Sequence, residues 1–537
     1  MEAKTATDAS QASQATQEAT TGDGGSDEHA EAKPAADVIE VRRPADGSLL
    51  RTVPVDGPDR VAEVVARVRA NQPGWEALGI GSRYRWLGRL RDWLLDNNGE
   101  LAALLKSETG KVLADAELEA PYVAGVINFY GENGAGYLAE QVIKGRTPMT
   151  KAKRLTLAYR PYPVVGAISP WNFPVILGLE DLLAAMTAGS AAVLKPSEFT
   201  PLTTMRIIDA WKHEIGGPDV FDYVNGLGET GGALIDNVDF IQFTGSERTG
   251  KVVMRRAADT LTPVSLELGG KDPAIVLADA DIERAVNGTA WGGLANTGQI
   301  CMSLERVYVE EPIYDEFVER LAAKVRDEVR QGDDGTRHGA EVGAMTSPNQ
   351  IAIVSDHVED ARAAGARILT GGRAREGAGD WYEPTVIADA DHSMKVMREE
   401  TFGPVIPVMK VADEEEAIRL ANDTSYGLSA SVFSGDVKRA ERIAKRIEVG
   451  SCNVNDAMVN YFAVEVPMGG WKTSGIGYRH GAYGIQKFVR STSIVSPKGP
   501  TMKNELTWFP YTPRRRGLLQ RLFRALNARG LRNRLGL

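Results

Sequence analysis

Residues 163–196 read PVVGAISPWNFPVILGLEDLLAAMTAGSAAVLKP. The run PVVGAISP is short, apolar and rich in β-branched residues, which is the signature of a strand. Pro170 and Pro174 stiffen the loop that follows and that holds Trp171 and Asn172. In VILGLEDLLAAMTAG the apolar residues recur three and four apart and a glycine ends the run, as in a helix. SAAVLKP then reads as a second strand. Strand, turn, helix and strand in this order place the two strands parallel in one sheet.

Outward from this unit the pattern repeats. DVFDYVNG, VDFIQFTGS and TPVSLELGG read as further strands, and TPLTTMRIIDAWKHEIG, TGGALIDN and ERTGKVVMRRAADT as helices between and after them. A parallel sheet of this kind binds ligands at the carboxyl ends of its strands, where loops meet helix N-termini. The loops after the strands are therefore where chemistry is sought. One of them, NGLGETGG, sets Gly226, Gly228 and Gly231 in the G-x-G-x-x-G spacing. Alone that match is weak, and the acid expected some twenty residues on falls near Glu247, in a turn and not at a strand end.

At 537 residues the chain has room for about two to four domain-sized units. Its 43% hydrophobic and 25% charged content is that of a soluble globular protein. A net charge of -10 argues against a general nucleic-acid binder. Two cysteines exclude a disulfide framework, and no apolar run is long enough to span a bilayer. The acidic, Ala-, Ser- and Thr-rich start has neither the basic nor the apolar region of a secretory signal, so a reducing cytoplasm is the expected compartment. Residues 1–36 are expected to be disordered, because they can bury too little to offset ordering entropy.

The other end differs. WFPYTPRRRGLLQRLFRALNARGLRNRLGL holds eight arginines and no acid. Leu518, Leu519, Leu522, Phe523 and Leu526 follow helical spacing with Arg521, Arg524 and Arg529 between them. That is a basic amphipathic helix, read either as an anchor on anionic lipid, as a docking helix for a partner, or as a helix packed on the protein's own acidic surface.

Several short motifs stand in order along the chain: SPWNFP with Asn172, KPSE with Lys195 and Glu198, FTGS with Ser246, LELGGK with Glu267, GQIC with Cys301, and EETFGP with Glu400 and Phe402. Together with NDTSYGLSASVF and PMGGWKTSGIG, they identify a resemblance to the aldehyde dehydrogenase superfamily over about residues 40–500. The resemblance implies an α/β fold with a Rossmann-like cofactor domain (37–142 and 162–267), an α/β catalytic domain (268–484) and a small oligomerisation β element (143–161 and 485–499). Outside these lie the acidic tail 1–36 and the basic tail 503–537. A homodimer or homotetramer follows by analogy.

The chemistry can be argued from the residues. An aldehyde gives up hydride readily only from a tetrahedral adduct, and a thiolate is a good nucleophile for making one, leaving a thioester that water can hydrolyse. Taken alone, Cys301 is more readily a small buried hydrophobe. In the company of Glu267, Asn172 and GQIC it reads as the nucleophile, whereas Cys452 in VGSCNVND has no such company. None of the six histidines has a context that suggests a Cys-His dyad or a metal ligand set, so the base is sought elsewhere.

The resemblance assigns that base to Glu267, the oxyanion donor to Asn172 with the backbone N–H of Cys301, and the cofactor contacts to Trp171, Lys195, Glu198, Ser246, Glu400 and Phe402. Plain alternatives are a surface glutamate at a strand end and an asparagine that caps the next helix. Family members that pass the acyl group to coenzyme A lack a glutamate at the position of Glu267, which implies hydrolysis here. A carboxylate at 198 suits ribose hydroxyls and repels a 2′-phosphate, so NAD is expected ahead of NADP, with no metal. One departure stands out: Asp181 occupies a position where many members carry a lysine, and a similar acid occurs in bacterial succinate-semialdehyde dehydrogenases. The loop DAMVNYFAVEV, with Met458, Val459, Tyr461 and Phe462, predicts an apolar entrance suited to an aliphatic or aromatic aldehyde. The alternatives are succinate semialdehyde as substrate and, in another class, a non-catalytic binding or membrane-tethered scaffold with this fold.

Overall fold

The computed structural model describes residues 38–333, 339–501, 503–530 and Arg534. The expectation for residues 1–36 falls outside the described residues. The runs quoted above form the centre of a six-stranded sheet, in the order Gly475–Ile476, Val264–Glu267, Phe240–Thr244, Val164–Ile168, Ala191–Lys195, Phe221–Tyr223. All neighbours pair in parallel except the first two. Strand order reverses between Val164–Ile168 and Phe240–Thr244, which creates a switch point with a crevice at the carboxyl ends. The loops carrying Trp171, Asn172 and Ser246 leave the sheet there.

Helix Pro174–Ala188, between Val164–Ile168 and Ala191–Lys195, is buried on every side, which is why its sequence is apolar apart from Glu180, Asp181 and Thr187. The G-x-G-x-x-G loop follows Phe221–Tyr223, the outermost strand and not the switch point, in keeping with its weakness as a fingerprint.

A second, seven-stranded sheet runs Arg367–Thr370, Thr385–Ala388, Val405–Val411, Leu304–Glu310, Asp272–Val276, Ser431–Phe433, Asn453–Val454. It is parallel apart from its first pair. The chain passes from one sheet to the other through Leu268–Lys271 and returns at Gly475–Ile476, which pairs antiparallel with Leu266 and Glu267. Two crossings therefore meet at Glu267.

A separate three-stranded antiparallel sheet joins Val489–Pro497, Lys153–Pro161 and Gln141–Ile143. The stretch AKRLTLAYRPYPVV is thus split between two sheets. The expected strand from 485 starts only at Val489, because Ile485 and Phe488 are drawn into the core beneath the first sheet. A helix, Pro513–Asn527, forms in the basic tail, with Pro513 in its first turn and the Thr512 side chain accepting from Arg515 N.

Candidate active site

Cys301 follows a turn whose backbone is held against preference. Asn296, Thr297 and Gly298 come in succession with φ of 49°, 60° and 69°. Side chains with a Cβ avoid this left-handed region at a cost of about 1–2 kcal/mol each, so the surroundings must fix the turn. Asn296 N donates to Asp115 Oδ2 at 3.0 Å, and its side-chain amide donates to the carbonyls of Asn172 and Gln299. The Gln299 side chain accepts from Thr346 N at 3.0 Å.

The turn leaves Cys301 half-buried where two cavities meet. One, of about 670 Å³, is walled by apolar side chains including Phe173, Ile176, Trp291, Met458 and Phe462. The other, of about 810 Å³, is walled by Trp171, Ser246, Glu267, Glu400 and Phe402 among others and opens at the switch point. Cys301, Asn172 and Leu177 belong to both. Cys452, by contrast, packs against the apolar core of the second layer and lines neither cavity. Burial pushes both thiols up to about 12. Proton affinity therefore does not separate the two cysteines; position does.

Glu267 is 3% exposed, and burial raises its carboxyl to about 7 while the Arg479 guanidinium pulls the other way. Its Oε1 has no hydrogen-bond partner among the described residues. A buried oxygen left without a partner is costly in a finished core and useful in a wall that faces a reacting water. The reading of Glu267 as a surface glutamate is thereby excluded.

Asn172 is buried, and its side-chain amide donates to Gln299 O at 2.9 Å, two residues before the cysteine. It does not cap the following helix. That task falls to Glu119, whose Oε2 accepts from Val175 N and Ile176 N at 3.0 and 3.1 Å. Glu119 is paired with Lys111 at 2.5 Å, and Lys111 also donates to Asn172 O at 2.8 Å. This pair fixes the PWN loop from behind. Both residues lie outside every motif in the sequence.

The candidate cofactor residues surround the polar cavity unevenly. Ser246 is the exposed N-cap of helix Glu247–Thr260, so its neighbouring N–H groups and the helix dipole favour an anion. Lys195 is buried at the end of its strand, with its ammonium lowered by burial and Glu198 opposing that effect; it donates to Pro196 O at 3.1 Å. Glu198 is half-buried. Lys195 and Glu198 are absent from the cavity wall, which their loop adjoins through Pro170 and Trp171. Glu400 accepts from Gly270 N at 2.8 Å and is pushed up to about 8 by burial and by Glu305. A Cβ on residue 269 would stand 2.5 Å from the Glu400 carboxylate, so glycine there leaves the carboxylate its place. Phe402, at φ 52°, stacks edge-on against Trp171 with centroids 5.4 Å apart. A roomy polar chamber at a switch point, with a helix N-terminus on one wall and an underused buried carboxylate on another, fits a dinucleotide.

Two buried ionic groups were not singled out in the sequence. Lys271 pairs with Glu305 at 2.7 Å, and Glu305 accepts from Thr401 N and Phe402 N at 2.7 Å each, so this pair holds the EETFGP loop. The lysine closes LELGGK and the glutamate lies in SLERVYVE, so position within a motif was the available signal. The second group explains Asp181. Arg479 Nε lies 2.8 Å from Asp181 and 3.3 Å from Glu180, and Lys487 lies 2.7 Å from Asp181. Arg479 also donates to Thr244 Oγ1, and Tyr461 donates to Glu180 Oε1 at 2.6 Å. Burial pushes the Asp181 carboxyl up, but Lys487 and Arg479 outweigh it and hold the group below the ordinary range. Asp181 is thus the anchor of a buried cation network that reaches from the apolar cavity, through Tyr461, to the strand end beside Glu267.

The expected apolar entrance is present in Met458, Tyr461 and Phe462, whereas Val459 points to solvent and lines neither cavity. No arginine or lysine lines the apolar cavity; its one charged wall residue is Asp115.

Comparison with known proteins agrees with this geometry. Residues 31–494 match the model of the aldehyde dehydrogenase family. A 4,4′-diapolycopene aldehyde oxidase of Methylomonas sp is 40% identical over 472 residues, which cover 87% of this chain and 87% of that protein. A Mycobacterium ulcerans protein assigned by its name to succinate semialdehyde and NADP(+) is 37% identical, covering 84% and 87% of the two chains. The structure of an NAD-dependent aldehyde dehydrogenase from Sinorhizobium meliloti superposes with a TM-score of 0.82 at 35% identity, covering 87% of this chain and 92% of that one. With most of the motif residues gathered round one cleft and most of the chain covered by these relatives, the chain belongs to the aldehyde dehydrogenase family and is an NAD(P)-dependent enzyme that oxidises aldehydes.

Proposed function

We propose that the enzyme oxidises an apolar aldehyde to its carboxylic acid through a thioester on Cys301, with NAD as the preferred acceptor. The observation that carries this reading is the placement of one thiol at the junction of an apolar cavity without cations and a polar cavity that ends at the switch point. The aldehyde enters between Phe173, Met458 and Phe462 and presents its carbonyl carbon to Sγ. Proton transfer from Cys301, at about 12, to Glu267, at about 7, costs about 7 kcal/mol. That is well within the ~16 kcal/mol barrier of a step proceeding about ten times a second. As the C–S bond forms, the carbonyl oxygen becomes an oxyanion, for which Asn172 Nδ2 and the Cys301 N–H are the proposed donors. A nicotinamide dinucleotide bound in the polar cavity, with Ser246 at its phosphates and Glu400 at a ribose, supplies the hydride acceptor. Once Glu267 has released the thiol proton to solvent, it takes a proton from water, the hydroxide adds to the thioester carbonyl, and the C–S bond breaks to give the acid and the thiolate.

The name of the Methylomonas relative, which is that of a long apolar polyene aldehyde, supports an apolar substrate. Succinate semialdehyde is the second reading, favoured by the name of the mycobacterial relative. Its carboxylate would pass Asp115 and find no cation on the wall. The buried cations behind the wall are committed elsewhere: Lys111, 4.0 Å over the Phe173 ring, to Glu119, and Arg479 to Asp181 and Glu180. A homodimer or homotetramer built on the three-stranded sheet, whose Val142, Ile143, Ile494 and Val495 are exposed, belongs to the same reading, as does a cytoplasmic location.

The test is NADH or NADPH formation by the purified enzyme on succinate semialdehyde, hexanal, longer alkanals and benzaldehyde, beside Cys301→Ala. The expected outcome is preference for the apolar aldehydes with NAD, and loss of turnover in the variant. Preference for succinate semialdehyde would overturn the substrate reading, and turnover in Cys301→Ala would overturn the mechanism.

A further inference from the structure

The basic arm after residue 503 lies beyond the family match, which ends at residue 494, and no wall residue of the two cavities comes from it. Its base is tied to the body, since Lys153 of the three-stranded sheet pairs with Glu505 at 2.9 Å. Beyond that point the chain exposes Trp508, Phe509 and Tyr511 and then enters helix Pro513–Asn527. Fifteen residues make a helix about 22 Å long.

The helix buries none of its residues. Leu518, Leu522 and Leu526 stand one turn apart, with Leu519 and Phe523 beside them, so the five side chains share one stripe. Leu518 is 55% exposed and Phe523 47%. Arg514, Arg521 and Arg524 project from the other side. Among the described residues, the side chains of Arg514, Arg516, Arg521 and Arg524 make neither an ion pair nor a hydrogen bond, although the chain holds 72 carboxylate residues; Arg515 falls on the leucine stripe and is half-buried. No carboxylate among the described residues pairs with these arginines of the helix. No helix is long and apolar enough among the described residues to cross a membrane.

We propose that this arm is a docking element for an anionic lipid surface. The chemistry on each side of the helix matches one layer of such a surface. Phosphate headgroups meet the unpaired arginines, and the leucine and phenylalanine stripe enters the region of the acyl chains. Trp508, Phe509 and Tyr511 lie where the chain leaves the helix for the body, and aromatic side chains of this amphipathic kind settle at the boundary between headgroups and acyl chains. The helix lies in the plane of the surface and the body stays in water. The inference does not depend on which aldehyde is oxidised.

The test uses the full-length enzyme and co-sedimentation with vesicles of phosphatidylcholine alone or with about 30 mol% phosphatidylglycerol. The enzyme is expected to pellet with the anionic vesicles and not with the neutral ones. Raising salt to about 0.5 M, where charges more than a few ångström apart are screened, is expected to release it. Two variants divide the contributions: Arg521→Glu with Arg524→Glu, and Leu518→Ser with Phe523→Ser and Leu526→Ser. Each is expected to weaken partitioning at least about tenfold while leaving turnover of a soluble aldehyde unchanged. Failure to pellet with anionic vesicles, equal pelleting with neutral ones, or pelleting that survives both variants would overturn the proposal. So would a variant that lowers the oligomer's mass in sedimentation velocity when the wild type binds no vesicle, since the helix would then belong to a second copy of the chain. The salt series on the wild type decides the matter even where a variant is unstable.

Discussion

In the proposed mechanism Glu267 works near neutrality because of what it lacks. Its raised value, about 7, is a consequence of burial with one oxygen unpartnered, and Arg479 keeps it from rising further. A general base acts only when deprotonated, so the rate of thioester hydrolysis is expected to rise with pH through a midpoint near 7. Pre-steady-state kinetics should show that limb lost in Glu267→Gln, with the first turnover of NADH and the later turnovers both slowed at least ~100-fold, since the thiol loses its proton acceptor as well. The same group also makes a stability statement. Its folded value lies above the ordinary 4.5, so its contribution to folding is fully present below pH 4.5 and is lost as pH rises through about 7. By pH 8 the buried carboxylate costs about 3 kcal/mol relative to a neutral isostere. Glu267→Gln is therefore expected to gain in Tm over the wild type between pH 5 and pH 8. A difference in Tm that does not grow with pH would show that the carboxylate is stabilised by groups other than those around it here.

At the scale of elements, the site is built where the chain crosses between the two sheets. The Gly269–Gly270 turn lets the Glu400 carboxylate come down onto Gly270 N, and a methyl group on residue 269 would fall 2.5 and 2.6 Å from its two oxygens. Gly269→Ala is expected to displace Glu400 and raise KM for NAD about tenfold or more, with kcat for a saturating cofactor changed less. An unchanged KM would mean that Glu400 does not reach the cofactor. This turn was readable in the sequence because it is local: a strand pattern ends, two glycines follow, and the next strand begins. The same holds for the loops at Asn172, Ser246 and Cys301, each announced by the end of a periodic run. Asp181 shows where such reading stops. Within its helix it is, with Glu180, one of two adjacent acids among leucines, and its partner Arg479 lies 298 residues away, so only the folded chain reveals an ion pair in place of a misplaced charge. Glu119, which caps the helix at Val175 from 56 residues upstream, was hidden for the same reason. The split of AKRLTLAYRPYPVV between two sheets was likewise beyond periodicity, because both halves are strands and only their partners differ.

For the whole molecule, charge is divided. Residues 503–537 carry nine basic residues and one acidic one in a chain whose net charge is -10, so the body is more acidic than the total suggests. On the docking proposal, an anionic surface repels the body and attracts the arm, so that the enzyme would meet it in one orientation. If the substrate is an apolar aldehyde dissolved in that surface, docking raises the local concentration of aldehyde at the entrance formed by Met458 and Phe462 without altering the chemistry at Cys301. The expected result is a difference that depends on how the aldehyde is presented. On hexadecanal carried in anionic vesicles, kcat/KM of the wild type should exceed that of the Arg521→Glu, Arg524→Glu variant by about tenfold. The two should be equal on hexadecanal in neutral vesicles and on benzaldehyde in solution. Equal rates in anionic vesicles, with docking shown separately, would leave the arm as a tether that locates the enzyme and does not feed it. Equal failure of both proteins on hexadecanal, with benzaldehyde still oxidised, would place the limit in the cavity around Trp291 and Phe173 and leave the arm out of the matter.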